Sequence, residues 1–309
     1  MEQAAPSMQT ADSTLSLTES RSAGVALFAL CSGAVAIAFA PIFVRLSYVG
    51  PSATAFWRLT LALPVLWLWM MLEGWGRGSH QRSLSRADYV RLSVAGLFFA
   101  GDLAVWHWSI RFTSVANATL LANFAPIFVA LGGWLFFAQR VGLSFLFGMG
   151  TALAGTTLMV GMSLQVSVRH LWGDALGLIT ALFYAGYILS VKRLRDDFSA
   201  ATIMAWGGIA TSAALLPIAV LSGEQLLPNV VPDWGPLIGL ALISQVGGQG
   251  LIAYALAHLP AAFSSVTLLL EPVMATVFAW MILHETIGPI QALGGVLVLV
   301  GIFVARRVS

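Results

Sequence analysis

Charged side chains are scarce: Lys, Arg, Asp and Glu make up 9% of the 309 residues, against 59% hydrophobic. A water-soluble globule of this composition would leave far too much apolar surface in water, which excludes the soluble fold classes. Lysine is almost absent, Lys192 being the single one. A Gly-rich phosphate loop needs a lysine to reach the phosphates, so no such nucleotide site is available. The lone cysteine, Cys31, excludes an internal disulfide and any cysteine-rich metal site. The histidines form no His-Glu-x-x-His run, and His284-Glu285 has no second histidine nearby. Neither a metal nor an organic cofactor is therefore expected. Asp102 and His107, five residues apart, would stand about 140° apart around a helix, a poor acid and base pair. No nucleophile accompanied by its base is found elsewhere, so a membrane enzyme and a purely structural subunit are the minor readings.

What the chain has instead is apolar length. Ten stretches, approximately 24–44, 52–72, 89–110, 114–136, 141–161, 173–191, 199–221, 234–256, 261–283 and 287–305, cover almost all of it. About 20 residues at ~1.5 Å each span a hydrocarbon core of roughly 30 Å. Barrel strands would be about 10 residues long with alternating polarity, so the expected fold class is an all-α membrane protein with ten transmembrane helices.

Sliding the chain over itself by 146 residues puts Gly101 on Gly247, Ala116 on Ala262, Pro126 on Pro272, Trp134 on Trp280, Gly142 on Gly288, Gly148 on Gly294, Leu153 on Leu299 and Gly155 on Gly301. Helices 1 and 6 align at a shift of 147, where Ile42-Phe43-Val44-Arg45 meets Leu189-Ser190-Val191-Lys192. Matches of Gly, Pro and Trp weigh most, because each fixes backbone or packing geometry. The expected organisation is a disordered polar tail at 1–22, a first five-helix repeat at 23–161 and a second at 162–309. Five is odd, so homologous halves must cross the membrane in opposite senses, an inverted repeat.

Orientation follows from the cations. With the amino terminus inside, Arg21, Arg77, Arg82, Arg86, Arg91, Arg140, Lys192, Arg193, Arg195, Arg306 and Arg307 are cytoplasmic, while Arg45, Arg111 and Arg169 alone are outside. This positive-inside bias places both termini in the cytoplasm. The pI near 9.0 then reflects loop charge that orients helices, and nucleic acid is not an expected partner. Helix 1 is too long for a signal-peptide core, and Cys31 within it is no lipid anchor. The oligomeric state is left open.

Four ionisable groups lie at membrane depth: Arg58, Asp102, His107 and Glu271. A charge there costs roughly 3 kcal/mol even on a lenient scale, so each must face protein or water. Arg58 and Asp102 fall at matching depths, which suggests a buried pair that either is permanent or opens to grip the carboxylate and ammonium of a zwitterion. Glu271 precedes Pro272, whose missing N–H frees the Leu268 carbonyl, and Pro126 does the same to Ala122. Pro126 and Pro272 are candidate hinges of a rocking carrier. Gln245 and Gln249 share a helix face, and Asn117 and Asn123 lie on helix 4, amides that need a partner from another helix or a ligand. Trp106, Trp108, Tyr184 and Tyr187 offer aromatic surface, with Trp106 and Tyr184 as candidate cavity lining. The candidate substrate-binding set is Arg58, Asp102, Trp106, Asn123, Tyr184, Gln245, Gln249 and Glu271.

Leu268-Leu269-Leu270-Glu271-Pro272-Val273-Met274-Ala275, followed by His284-Glu285, Gly294-Gly295 and Gly301, resembles the last two helices of the EamA family in the drug/metabolite transporter superfamily. Phe56-Trp57-Arg58-Leu59 is similar to that family's second helix, and Ala38 to Ser47 to its first. The resemblance covers all ten helices. It implies a multi-pass protein of a bacterial inner membrane that exports small metabolites, amino-acid exporters of the YddG type being the characterised kind. One departure is Ala138-Gln139-Arg140, which stands where the family's first half often repeats the acidic ending of helix 4. The first half therefore lacks the contact that Glu285 would make in the second.

Among substrates, a sugar phosphate or nucleotide sugar would need several central cations, and only Arg58 is available. A lipophilic cation would find Glu271 among aromatics, but the superfamily's usual mark for it, a helix 1 glutamate, is missing. A zwitterionic amino acid, aromatic or otherwise apolar, matches one cation, one or two acids, several amides and an apolar wall. It is the expected substrate, moved by alternating access.

Overall fold

The computed structural model describes residues 8–76, 84–113, 115–139, 141–160 and 168–307. The side chains of Arg21, His107, Arg111, Asn117 and Arg169, and residues Arg77, Arg82 and Arg140 altogether, lie outside the described residues. Ten helices are long and apolar enough to cross a bilayer. They are α1 (Ser22–Leu46), α2 (Pro51–Trp75), α3 (Arg86–Trp106), α4 (Ala118–Phe137), α5 (Leu143–Val160), α6 (Leu171–Leu194), α7 (Ala200–Leu221), α8 (Val231–Ala255), α9 (Ala261–Leu283) and α10 (Pro289–Arg306). Their outward faces are bare hydrocarbon, as with Leu68, Met71 and Leu72 on α2 or Val296, Leu299, Val300 and Phe303 on α10. Only lipid solvates such faces without cost.

Local sequence explains the ends and the breaks. The Ser85 side chain caps α3 and Ser199 caps α7, each accepting from a backbone N–H in the first turn. The helix leading into α1 begins at Met8, so from there on the segment expected to be a disordered tail is helical. Extending a helix already nucleated in the membrane adds a hydrogen bond per residue without a new nucleation cost. The α4 helix is interrupted between Ala122 and Ala125, just before Pro126, and α9 between Thr267 and Leu270, just before Pro272. The Leu268 carbonyl expected to be free is not: it accepts from the Glu271 N–H at 2.9 Å, because the backbone tightens to an i to i−3 bond where proline withholds its donor. Residues Leu240–Gln249 of α8 wind as a π-helix, a rare form that recurs at functional sites.

The main helix contacts recur when the halves are exchanged. The α1 helix packs on α8 and α9 as α6 packs on α3 and α4, α2 packs on α8 as α7 packs on α3, and α2·α7, α4·α9 and α5·α10 meet as mutual pairs. Ala138 and His284, 146 residues apart, both end their helices in the left-handed region at φ 51° and 55°. The next N–H then reaches back to a matching carbonyl, Gln139 to Gly133 at 3.1 Å and Glu285 to Ala279 at 3.3 Å. Glycine brings α5 and α10 together: a Cβ on Gly148 would stand 2.6 Å from the Ala305 nitrogen and one on Gly294 2.6 Å from the Gly155 oxygen. This is an all-α membrane fold of two five-helix repeats.

The bundle is not equally tight on its two faces. All of Ala261–Thr267, the first half of α9, is buried, and it packs on Ala125–Phe137 of α4. No residue of Leu270–Leu283 is buried. The helices are thus clamped on the face that carries Lys192 and looser on the face that carries Glu285.

Candidate functional site

Arg58 sits two turns into α2 and is only 8% exposed. Its Nε donates to Gln245 Oε1 at 2.8 Å, and its guanidinium lies over the Phe99 ring, 5.5 Å from the centroid. At the same shift of 146 residues Phe99 stands on Gln245, so equivalent positions of the two repeats hold the arginine from two sides. One supplies a ring face and the other an amide oxygen. Phe99 stacks on Tyr187 at 4.7 Å, and Tyr187 on Tyr184 at 6.2 Å. The Tyr187 hydroxyl donates to Gln249 Oε1 at 3.4 Å and lies 3.7 Å from the Met204 sulfur. The π-helical winding of α8 therefore carries both buried glutamines into the cluster.

Asp102 on α3 and Glu271 on α9 are half-buried and lie within electrostatic reach of Arg58, of Tyr184 and of each other. No ion pair joins Arg58 to either carboxylate among the described residues. The direct Arg58 and Asp102 pair suggested by their depths is replaced by a looser triad, because Gln245 and the Phe99 ring fix the guanidinium instead. Nε is the only Arg58 nitrogen with a hydrogen bond among the described residues, which leaves four of the five guanidinium N–H groups for a ligand. A void of about 10 Å³, room for about one water, lies beside the cluster between Leu59, Phe99, Tyr187, Met204 and Gln245.

Trp106 stands one turn beyond Asp102 on the same face of α3 and is half-buried. Asn123 lies at the break in α4, where its side-chain amide donates back to the Thr119 carbonyl of its own helix at 2.9 Å. Phe99 was not in the expected set. Its i, i+3 spacing from Asp102 was the signal that could have found it.

A second, larger cleft of about 440 Å³ opens between the ends of α4, α5, α6, α8 and α9, lined by Gln139, Val141, Phe145, Lys192, His258 and Phe263 among others. At the opposite ends of the bundle Arg45 forms an ion pair with Glu285, both exposed, linking α1 to the end of α9. This is the contact whose counterpart the first half was expected to lack.

Residues 24–161 and 171–307 each match the model of the EamA-like transporter family. The chain is 26% identical over 268 residues to a transporter of Archaeoglobus fulgidus, covering 85% of this chain and 90% of that one. It is 25% identical over 225 residues to the pseudopaline exporter CntI of Pseudomonas aeruginosa (73% and 78%), and 28% identical over 250 residues to the threonine/homoserine exporter RhtA of Escherichia coli K12 (80% and 79%). A crystal structure at 17% identity superposes with a TM-score of 0.77 over 91% of this chain and 98% of that one, a likeness of fold alone.

Proposed function

The chain belongs to the EamA-like transporter family, and from that premise we propose that it exports small zwitterionic metabolites, amino acids above all, by alternating access across a bacterial cytoplasmic membrane. That it is a multi-pass integral membrane protein of a transporter family follows from the family match and the ten apolar helices. The single observation that carries the substrate reading is the buried Arg58 with donors to spare beside two carboxylates and a stacked aromatic wall.

The chemistry is that of an α-amino acid. Its carboxylate takes the spare guanidinium N–H groups, its ammonium lies between Asp102 and Glu271, and a neutral side chain packs on Phe99, Tyr184 and Tyr187. An aromatic or other apolar side chain suits the wall. The relative named for threonine and homoserine extends the candidates to small hydroxylated side chains. Pro126 and Pro272 serve as hinges, since each stands just after a helix interruption at which the two halves of α4 and α9 can tilt. With the positive-inside orientation, the clamped face is cytoplasmic and the looser face is outward.

The test is a solute screen with purified protein in proteoliposomes, with and without a pH gradient. Accumulation of at least one neutral amino acid, lost in Arg58→Gln, is the expected result. Movement of sugar phosphates but no amino acid would sink the substrate reading and leave the carrier reading standing. A second reading, export of a lipophilic cation, is favoured by Glu271 beside an aromatic wall. It predicts uptake of quaternary ammonium compounds that depends on Glu271 and is indifferent to Arg58.

A further inference from the structure

The two repeats differ at one pair of positions whose backbones are held alike. Gln139 and Glu285 follow left-handed residues 146 apart and make the same backbone bond. Their cationic counterparts, Lys192 and Arg45, match at a shift of 147. In the second repeat the carboxylate is present, and Arg45 pairs with Glu285. In the first repeat the acid is replaced by an amide, so the positional partner of Lys192 carries no charge. Lys192 lines the 440 Å³ cleft, with Gln139 on the same wall.

The cleft has the character of a small-molecule site. Its volume falls within the roughly 300–1,000 Å³ of ligand pockets. None of its described lining residues is acidic, and the polar ones among them are Lys192, Gln139 and His258, set against Phe145, Leu259, Pro260 and Phe263. The acid that acts electrostatically on Lys192 is Asp196, in the turn after α6, and Asp196 also pairs with Arg193 at 3.5 Å. Lys192 and Gln139 come from the group formed by α3, α4 and α6, whereas His258 and Phe263 come from the group formed by α8, α9 and α1. A ligand there touches both groups just outside the α4 and α9 clamp. Glu271 lies eight residues, or about 12 Å, deeper along α9 than Phe263.

We propose that this cleft is a second binding site, for the carboxylate end of a small organic solute with an apolar body, in which Lys192 supplies the charge that Glu285 neutralises in the other repeat. Its role as a loading site for the central cluster rests on the carrier reading. Its existence as a carboxylate site does not.

The experiment uses the full chain in detergent, with Cys31→Ser and Val141→Cys, and follows the rate at which a maleimide labels the single thiol. Phenylacetate at ~10 mM should slow labelling about threefold or more, as a millimolar site would, while phenethylamine, with the same ring and opposite charge, should not. Protection should survive Lys192→Arg and vanish in Lys192→Gln. It should vanish equally in Gln139→Glu, which restores the missing internal carboxylate. Equal protection by both probes, or protection indifferent to Lys192 and Gln139, overturns the proposal. So does slowing by short-chain phosphatidylglycerol in place of phenylacetate, which would make the cleft a lipid headgroup site. Labelling needs no transport, so failure here and failure of the proteoliposome screen are separately visible.

Discussion

At the scale of the residue, the arginine at the centre is held by geometry that lysine cannot reproduce. A flat guanidinium can bond Gln245 along one edge, lie on Phe99 and still present donors, whereas an ammonium is a point charge. Arg58→Lys should therefore keep expression near wild type and lower transport more than tenfold, a comparison of purified yield with initial rate in proteoliposomes. Arg58→Ala should cost stability as well, about 1–3 kcal/mol, because it leaves the buried Gln245 amide oxygen without its donor. Since Arg58 forms no direct ion pair with Asp102, the charge exchange Arg58→Asp with Asp102→Arg should recover nothing beyond the sum of the single variants. Recovery of folded yield, read as monodisperse protein on size exclusion, would show that the two groups do meet.

Elements are where rigidity and freedom are divided. The α5 and α10 helices touch through glycine, so Gly148→Leu or Gly294→Leu must push their backbones apart. Overpacking of this kind costs about 1–3 kcal/mol and should appear as a lower melting temperature in detergent, with solute specificity unchanged because the pair stands apart from Arg58. The α9 helix behaves oppositely, with its first half buried and its second half unburied on either side of the interruption before Pro272. Pro272→Ala gives back the N–H that lets the helix run through, and it should reduce the transport rate while leaving melting unchanged or raised. A rate equal to wild type would remove the hinge role.

For the whole molecule, the decisive prediction concerns sidedness. The turn after α6, with Asp196 and Asp197, should be cytoplasmic, and the loop holding Glu224 and Asp233 should face outward. Single cysteines there in a Cys31→Ser background should react with an impermeant reagent in intact cells only in the second loop. Labelling of the first alone would reverse the orientation and, with it, the assignment of the clamped face to the cytoplasm.

Sequence by itself determined the solvent, the helix count and the duplication. Apolar runs of membrane length leave the backbone no alternative to internal hydrogen bonds, and glycines and prolines repeat at a fixed shift because each one sets backbone geometry. It also picked out Arg58, Gln245, Gln249, Tyr184 and Glu271, since polar groups are too costly in hydrocarbon to be there idly. What it could not supply was pairing. Depth along separate helices made Arg58 and Asp102 look like partners, yet azimuth and helix crossing decide contact, and these gave the Nε bond to Gln245 and the ring face to Phe99. The π-helical winding of α8, the recapture of the Leu268 carbonyl and the cleft at Lys192 were invisible for the same reason. Each depends on which surfaces meet when ten similar helices pack, and hydropathy is nearly blind to that because lipid and protein interior are alike apolar.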